Sequence, residues 1–385
     1  MNASLVERVR RRLVDDGLTT VPDSARVAVA LRQEGVVLGD ESLLDLVSFL
    51  RDEFAGLGQL QPLMLDPEVT DIVVNGPRDV WIDRGRGLER SDIRFPDGET
   101  ILRLAQRLAS LAGRRLDEAS PYVDARLRDG TRLHAVLPPI ARDGALISLR
   151  IPNRRGFDLD DLVRLGTVDA RGALWLRAIV EARLAFLVSG GTGSGKTTLL
   201  ATLLELVDPL QRILLVEDSA ELQPRHPHVV RLEGRPPNLE GVGHVTLRDL
   251  VRQALRMRPD RVVVGEVRGA EVVDLLAAMN TGHEGGCGTV HANSPADVPA
   301  RLEALGLMAG LPRDAVHALI GAGVHVVVHL QRSPRCVSEV HVVHREGPFA
   351  VTSPALVRRS GVLVEAEAAP ALAALVQLAG VEPPR

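Results

Sequence analysis

Lysine is almost missing from this chain. The 46 Lys and Arg residues comprise 45 arginines and one lysine, Lys196. Whatever replaced lysine elsewhere spared that position. Aromatic residues make up only 2% of the chain, so the core must be built from Leu, Val, Ile and Ala, and stacking bases on aromatic rings is a poor binding mode for it. There are two cysteines, Cys287 and Cys336. That is too few for a disulfide framework or a zinc ribbon, and both read most simply as reduced thiols of a cytoplasmic protein.

Basic excess is lacking too. A formal net charge of −4 leaves no global field to hold DNA or an acidic membrane surface. No window of about 18 residues is free of charge, which argues against a membrane span. The N-terminus, "MNASLVERVRRRLVDDG", has no apolar core of an export signal. The most apolar run, "HALIGAGVHVVVHL" at 317–330, is short and reads as a core strand.

The 385 residues, 45% of them hydrophobic, suffice for two or three domains. Residues 1–55 read as an N-terminal helical segment, because 41–54 carries apolar residues at 3.6-residue spacing. A small α/β domain is expected over 56–152. Its strand candidates are "TDIVVN", "DVWID", "YVDARL", "TRLHAV" and "ALISLRI", with one helix at 99–115. Residues 153–168, polar with Pro and Gly, read as a linker. From 169 to 332 long apolar strands ("LAFLVS", "RILLVE", "RVVVGE", "CGTVHA") alternate with helices. That pattern indicates a parallel sheet covered on both faces. Residues 333–385 are expected to add C-terminal strands and an Ala-rich surface helix.

"GGTGSGKTT" at 190–198 fits G-x-x-x-x-G-K-[ST] and lies between an expected strand and an expected helix. Gly190, Gly191, Thr192, Gly193, Ser194 and Gly195 let backbone N–H groups face a phosphate chain at a helix N-terminus. Lys196 reaches the β- and γ-phosphates, the Thr197 hydroxyl suits Mg²⁺, and Thr198 completes the loop. With no second lysine to build a guanine-reading motif, ATP is the better nucleotide.

"RPDRVVVGEVRG" at 258–269 looks like a Walker B strand with Gly265–Glu266 where Asp–Glu is usual. Glu266 then stands in the place of the catalytic glutamate, and the Mg²⁺-side carboxylate is missing. Glu217, ending "RILLVE", can take that place at the C-terminal edge of the sheet; alternatively "EDSAE" simply caps a following helix. Arg268, two residues after Glu266, is placed to contact a neighbour or the nucleotide. In "NTGHEGGCGTVHANSP", His283, Cys287 and His291 fall at four-residue steps. Zinc would need more converging ligands than this stretch offers. The alternatives are core histidines, or histidines at the sheet edge that sense or polarise the γ-phosphate.

Together "GGTGSGKTT", "EDSAEL", "LRMRPDRVVVGEVRG" and "NTGHEGGCGTVHANS" resemble the Walker A, Asp box, Walker B and His box of the type II/IV secretion ATPases, in the family's order. Residues 235–260, 119–139 and 66–76 resemble the Tad/Cpa pilus branch in particular. The resemblance spans roughly residues 40 to 330. Cys287 stands where the family usually has Ser or another small residue, and Ala201 where Asn is common in the branch. The resemblance implies a homo-hexameric ring of subunits, each with a PAS-like N-terminal domain and a RecA-like ATPase domain. ATP and Mg²⁺ would be its ligands. An inner-membrane pilus or secretion platform protein would be its partner, met at the cytoplasmic face of the membrane with no nucleic acid involved. Arginines of the N-terminal domain contact phosphates in this family; the matching positions are Arg132 and Arg150. Rival readings are a RecA-like DNA translocase and an ATP-gated assembly protein that does not hydrolyse.

Overall fold

The computed structural model describes residues 24–36, 57–127, 129–152, 156–235, 242–280 and 284–384, and the isolated positions 8, 9, 12, 39, 46, 47, 237 and 282. The helix expected over 41–54 lies outside these apart from Leu46 and Val47, which are helical and buried, and His283 lies outside them altogether. The chain divides into two units, Met1–Arg155 and Gly156–Arg385.

In the first unit, α1 (Ser24–Gln33) and α2 (Gln61–Leu65) precede a six-stranded antiparallel sheet. Its strands are β1 (Asp71–Gly76), β2 (Asp79–Asp83), β3 (Leu88–Arg90), β4 (Tyr122–Arg126), β5 (Arg132–Val136) and β6 (Leu146–Arg150), in the order β3-β2-β1-β6-β5-β4. Helix α3 (Gly98–Leu111) starts where the Asp97 carboxylate accepts from the Thr100 N–H, satisfying one of the unpaired donors of the first turn. Its Ile101, Leu104, Ala105 and Leu108 form one face. They join Ile72, Val74, Leu133, Ala135, Ile147 and Leu149 of the sheet in a single core. The alternation read in each strand candidate is therefore that of a sheet with one covered face.

The second unit is built on a nine-stranded sheet. Strands β7 (Phe186–Gly190), β8 (Ile213–Glu217), β9 (Val229–Glu233), β10 (Arg261–Val267), β11 (Cys287–Val290) and β12 (Val326–Arg332) are parallel neighbours in the order β12-β7-β11-β10-β8-β9. β13 (Arg335–Glu346), β14 (Phe349–Arg359) and β15 (Val362–Glu365) extend it as an antiparallel meander from β12. Helices α4 (Leu159–Arg164), α5 (Ala170–Glu181) and α6 (Lys196–Leu204) cover one face; α7 (Leu247–Ala254), α8 (Glu271–Asn280), α9 (Val298–Met308) and α10 (Arg313–Gly323) cover the other. Helix α11 (Ala369–Leu378) returns to the first face. Alternate strand residues feed the two cores: Phe186, Val188, Ile213 and Leu215 one, Leu187, Leu214 and Val216 the other. Hence the uninterrupted apolar runs.

Three sequence expectations change. The stretch read as a linker is part of the second unit from Gly156 on: Asp158 caps α4, and Leu159 and Leu162 enter the core. The run at 317–330 is not one strand but the end of α10 and most of β12, breaking at Val324–His325. The polar residues after Glu217 cap no helix, because 218–228 is irregular before β9.

Candidate nucleotide-binding and hydrolysis site

Strand β7 is buried along its whole length and ends at Gly190, where the loop to α6 begins. A Cβ at Gly190, whose φ is 148°, would lie 2.5 Å from the Leu330 carbonyl oxygen and 2.7 Å from Ser194 Oγ. Gly195, at φ 97° and ψ 19°, turns the chain into the first turn of α6. Neither position tolerates an L side chain without displacement. The loop is thereby a close-fitting cradle with the unpaired N–H groups of a helix start at its end. Ser194 Oγ is buried and finds no partner among the described residues. Lys196 is 7% exposed, and its Nζ donates to the Gly191 carbonyl at 2.8 Å. Burial holds its pKa below the usual lysine range, opposed by the nearby Glu266 carboxylate. A buried ammonium with a carbonyl at 2.8 Å and, among the described residues, no carboxylate in hydrogen-bond contact, inside a glycine cradle, fits a polyphosphate.

From Lys196 a polar line crosses to β10. Lys196 Nζ is 3.5 Å from His291 Nδ1, and His291 Nε2 is 3.0 Å from Glu266 Oε1. Burial first, then the Lys196 and Arg301 cations, push the His291 pKa below its ordinary value, against the pull of Glu266. A neutral ring protonated on Nε2 satisfies both contacts: Nδ1 accepts from the ammonium and Nε2–H donates to the carboxylate.

A β-bulge aims Glu266. Val264 pairs with Gly288 and Val267 with Val290, so three steps of β10 oppose two of β11. The extra residue turns the strand locally and re-aims its side chains. The bulged Gly265 carbonyl is not left bare; the buried Thr289 hydroxyl donates to it at 2.6 Å.

Gly265 itself answers why the usual aspartate is absent. Val264 registers with Val216, which sets Gly265 beside Glu217. A Cβ at Gly265 would lie 2.6 Å from Glu217 Cγ and 2.9 Å from its Oε1. Glu217 is 4% exposed, and its Oε1 accepts from the Glu221 and Leu222 N–H groups, both at 3.0 Å. The space of a Walker B aspartate is thus filled by a carboxylate from the next strand. Next to it, Arg268 pairs with Asp218 of the same chain. Glu271 Oε1 accepts from the Arg268 and Gly269 N–H groups, each at 2.7 Å, and fixes that turn.

Sequence reasoning missed Glu271, the steric role of Gly265, and a second histidine under the loop. His329 of β12, 7% exposed, meets Ser189 Oγ through Nδ1 at 2.9 Å. Its position opposite Ser189 follows from the β7–β12 register, which no local motif announces. Cys287 and His291 do not converge. Cys287 is fully buried at the start of β11, its thiol pushed up to about 12 by burial, while His291 follows the strand's other end.

In the first unit, the register sets Arg132 opposite Arg150, with Arg126 beyond Arg132 and Asp71 beyond Arg150. The two matching arginines, far apart in sequence, are cross-strand neighbours on the face of the sheet away from Leu133 and Leu149.

The family model for "Type II/IV secretion system protein" matches residues 53–363. A Mycobacterium tuberculosis protein whose name connects it with conjugal transfer is 56% identical over 302 residues, 77% of this chain and 86% of that one. The type IV secretion system protein PtlH of Bordetella pertussis is 34% identical over 308 residues, 72% of this chain and 89% of its own. Among solved structures, the pilus retraction motor PilT with bound ADP shares the fold, with a TM-score of 0.53 at 20% identity over 83% of this chain and 85% of that one. A glycine-built loop, a buried lysine and the carboxylates of Glu217 and Glu266 on a RecA-like sheet agree with these likenesses, and the chain belongs to the type II/IV secretion system protein family.

Proposed function

We propose that the chain is the ATP-hydrolysing motor of a Tad-type pilus, or of a secretion or conjugal-transfer machine of that kind. It works as a homo-hexamer at the cytoplasmic face of the membrane, on a platform protein within it. Among the described residues no helix is long and apolar enough to cross a membrane, which agrees with a peripheral part. The observation that carries the reading is the line Lys196–His291–Glu266, which ties the phosphate cradle to a carboxylate of β10, two strands away in the sheet.

In this reading the loop 190–198 holds the phosphates and Lys196 exchanges the Gly191 carbonyl for phosphate oxygens. Thr197 and Glu217 are the residues that would hold Mg²⁺, which neutralises charge on the transferring phosphoryl group. Glu266 orients the attacking water and takes its proton. Neutral His291 fixes the Glu266 carboxylate and reports γ-phosphate arrival, because a phosphate that draws Lys196 away removes the contact at Nδ1. His283 joins His291 in that sensing. Arg268, paired with Asp218, couples the turn after β10 to the carboxylates after β8. Arg132 and Arg150 offer a doubly cationic row to phosphate.

The test of the machine is genetic. In the cell that makes this protein, replacing it with Glu266→Gln should abolish surface pilin or exported substrate while leaving protein level and ring formation intact. Normal export by that variant would remove the motor reading.

A further inference from the structure

Two arginines far from any nucleotide motif sit against the phosphate loop. Strand β12 pairs with β7 from Val326 to Leu330, the last pair being Leu330 with Gly190. β7 ends there, but β12 runs on through Gln331 and Arg332 before the turn at Ser333–Pro334 leads back along β13 from Arg335. The turn therefore stands beside the loop. Arg332 Nε lies 4.0 Å from the Cβ position of Gly193, and Arg335 Cδ lies 3.4 Å from that of Gly195. Both arginines are exposed, and among the described residues neither side chain has a hydrogen-bond or ion-pair partner. By contrast Arg225, Arg248, Arg252, Arg268 and Arg313 of the same unit each sit on a carboxylate.

The sheet order says which end of a nucleotide would meet them. Glu266 and His291 mark the γ-phosphate end and belong to β10 and the end of β11, on one side of β7. β12 is the neighbour on the other side. A triphosphate laid along the loop with its γ-phosphate toward Glu266 has its nucleoside toward Arg332 and Arg335. None of the nine aromatic residues falls in 190–198 or 330–336, so no ring there can stack on a base. A guanidinium is planar, stacks on π faces and stays charged.

We propose that the β12–β13 turn is the nucleoside clamp of this ATPase, Arg335 and Arg332 gripping the purine and ribose end of the adenine nucleotide. The proposal rests on the ATPase reading and adds the residues that hold the half of the ligand which the phosphate loop does not. Contacts that are equally strong in ground state and transition state set binding and not turnover, and in the proposed clamp the contacts to the unreacting end are of that kind.

The experiment uses the full chain, wild type and the double variant Arg332→Ala/Arg335→Ala, with ADP and inorganic pyrophosphate as probes in calorimetric titration and with steady-state ATPase kinetics. Pyrophosphate occupies the phosphate loop and has no nucleoside. The double variant should bind ADP about ten-fold more weakly, the scale of two cation–π contacts, and bind pyrophosphate as the wild type does. The KM for ATP should rise in step with the ADP Kd, and kcat should change by less than about three-fold. Equal weakening of ADP and pyrophosphate would place the arginines on the phosphates and overturn the clamp. Unchanged ADP affinity would overturn it too. Absence of pyrophosphate binding by the wild-type protein would overturn the ATPase reading itself, and the clamp with it.

Discussion

At the scale of single residues the proposed chemistry turns on what lies beside Glu217. Gly265 was legible as the odd member of a Walker B strand, but not as a steric requirement. Its reason is a side chain 48 positions earlier in the chain, brought alongside by strand pairing. Adding one methyl group there tests it. Gly265→Ala would press a Cβ to within 2.6 Å of Glu217 Cγ unless something moved. The variant should fold, with a loss of about 1–3 kcal/mol from overpacking, while ATP turnover falls far more than ADP affinity. Calorimetry and an ATPase assay run together decide it; unchanged turnover would mean that Glu217 does not need its present position. The placement of Lys196 and of Glu266, by contrast, was readable from the sequence alone, because a strand–loop–helix and a strand end each fix one residue locally. His291 was readable as a residue of the sheet edge or of the core, but its double contact to Lys196 and Glu266 is a product of the fold.

At the scale of elements the strands were the most legible feature and the antiparallel extension the least. β7, β8, β10 and β11 announce themselves as apolar runs because both faces are covered. β13 and β14 do not, since histidines, arginines and glutamates interrupt them. β12, from which that extension starts, runs alongside β7. His329 of β12 faces Ser189, and His325 Nδ1 accepts from the Ala185 N–H at 3.0 Å at the other end of β7. Both histidines have pKa values lowered from 6.5, chiefly by burial, as does His291. The folded protein therefore resists protons that the unfolded chain accepts. The stability these groups contribute is present above the unfolded value of about 6.5 and is lost as pH falls through the lower folded values. Unfolding free energy should decline as pH falls below about 6.5, with a slope of up to about 1.4 kcal/mol per pH unit for each histidine fully displaced. Denaturant melts at a series of pH values give that slope, and His329→Asn should make it shallower. A variant slope equal to that of wild type would mean that His329 titrates alike in both states.

At the scale of the whole molecule the division into two units was legible from the change of hydrophobic pattern, and the boundary between Arg155 and Gly156 falls inside the stretch read as a linker, but the helix within that stretch was not legible. Polar composition marked 153–168 as a linker, whereas Asp158 and Asp161 of that stretch form a capping box and start a core helix. Sequence could equally not tell that Arg132 and Arg150 would be cross-strand partners, since register is a property of the assembled sheet. Their pairing predicts an unusual split. Arg132→Ala/Arg150→Ala in the full chain should lower ATP turnover by about ten-fold or more. The melting temperature should stay close to that of wild type, because both side chains lie on the sheet face away from the core. A fall in melting temperature with turnover preserved would make the pair structural.

The most direct measurement concerns Glu266. Glu266→Gln keeps the shape of the side chain and its hydrogen bond to His291 Nε2, and removes the base. Single-turnover and steady-state ATP hydrolysis should fall by about a hundred-fold or more, while the affinity for ADP stays within about three-fold of wild type. Turnover retained by Glu266→Gln would contradict the assignment of the catalytic carboxylate and the role of the line from Lys196 through His291.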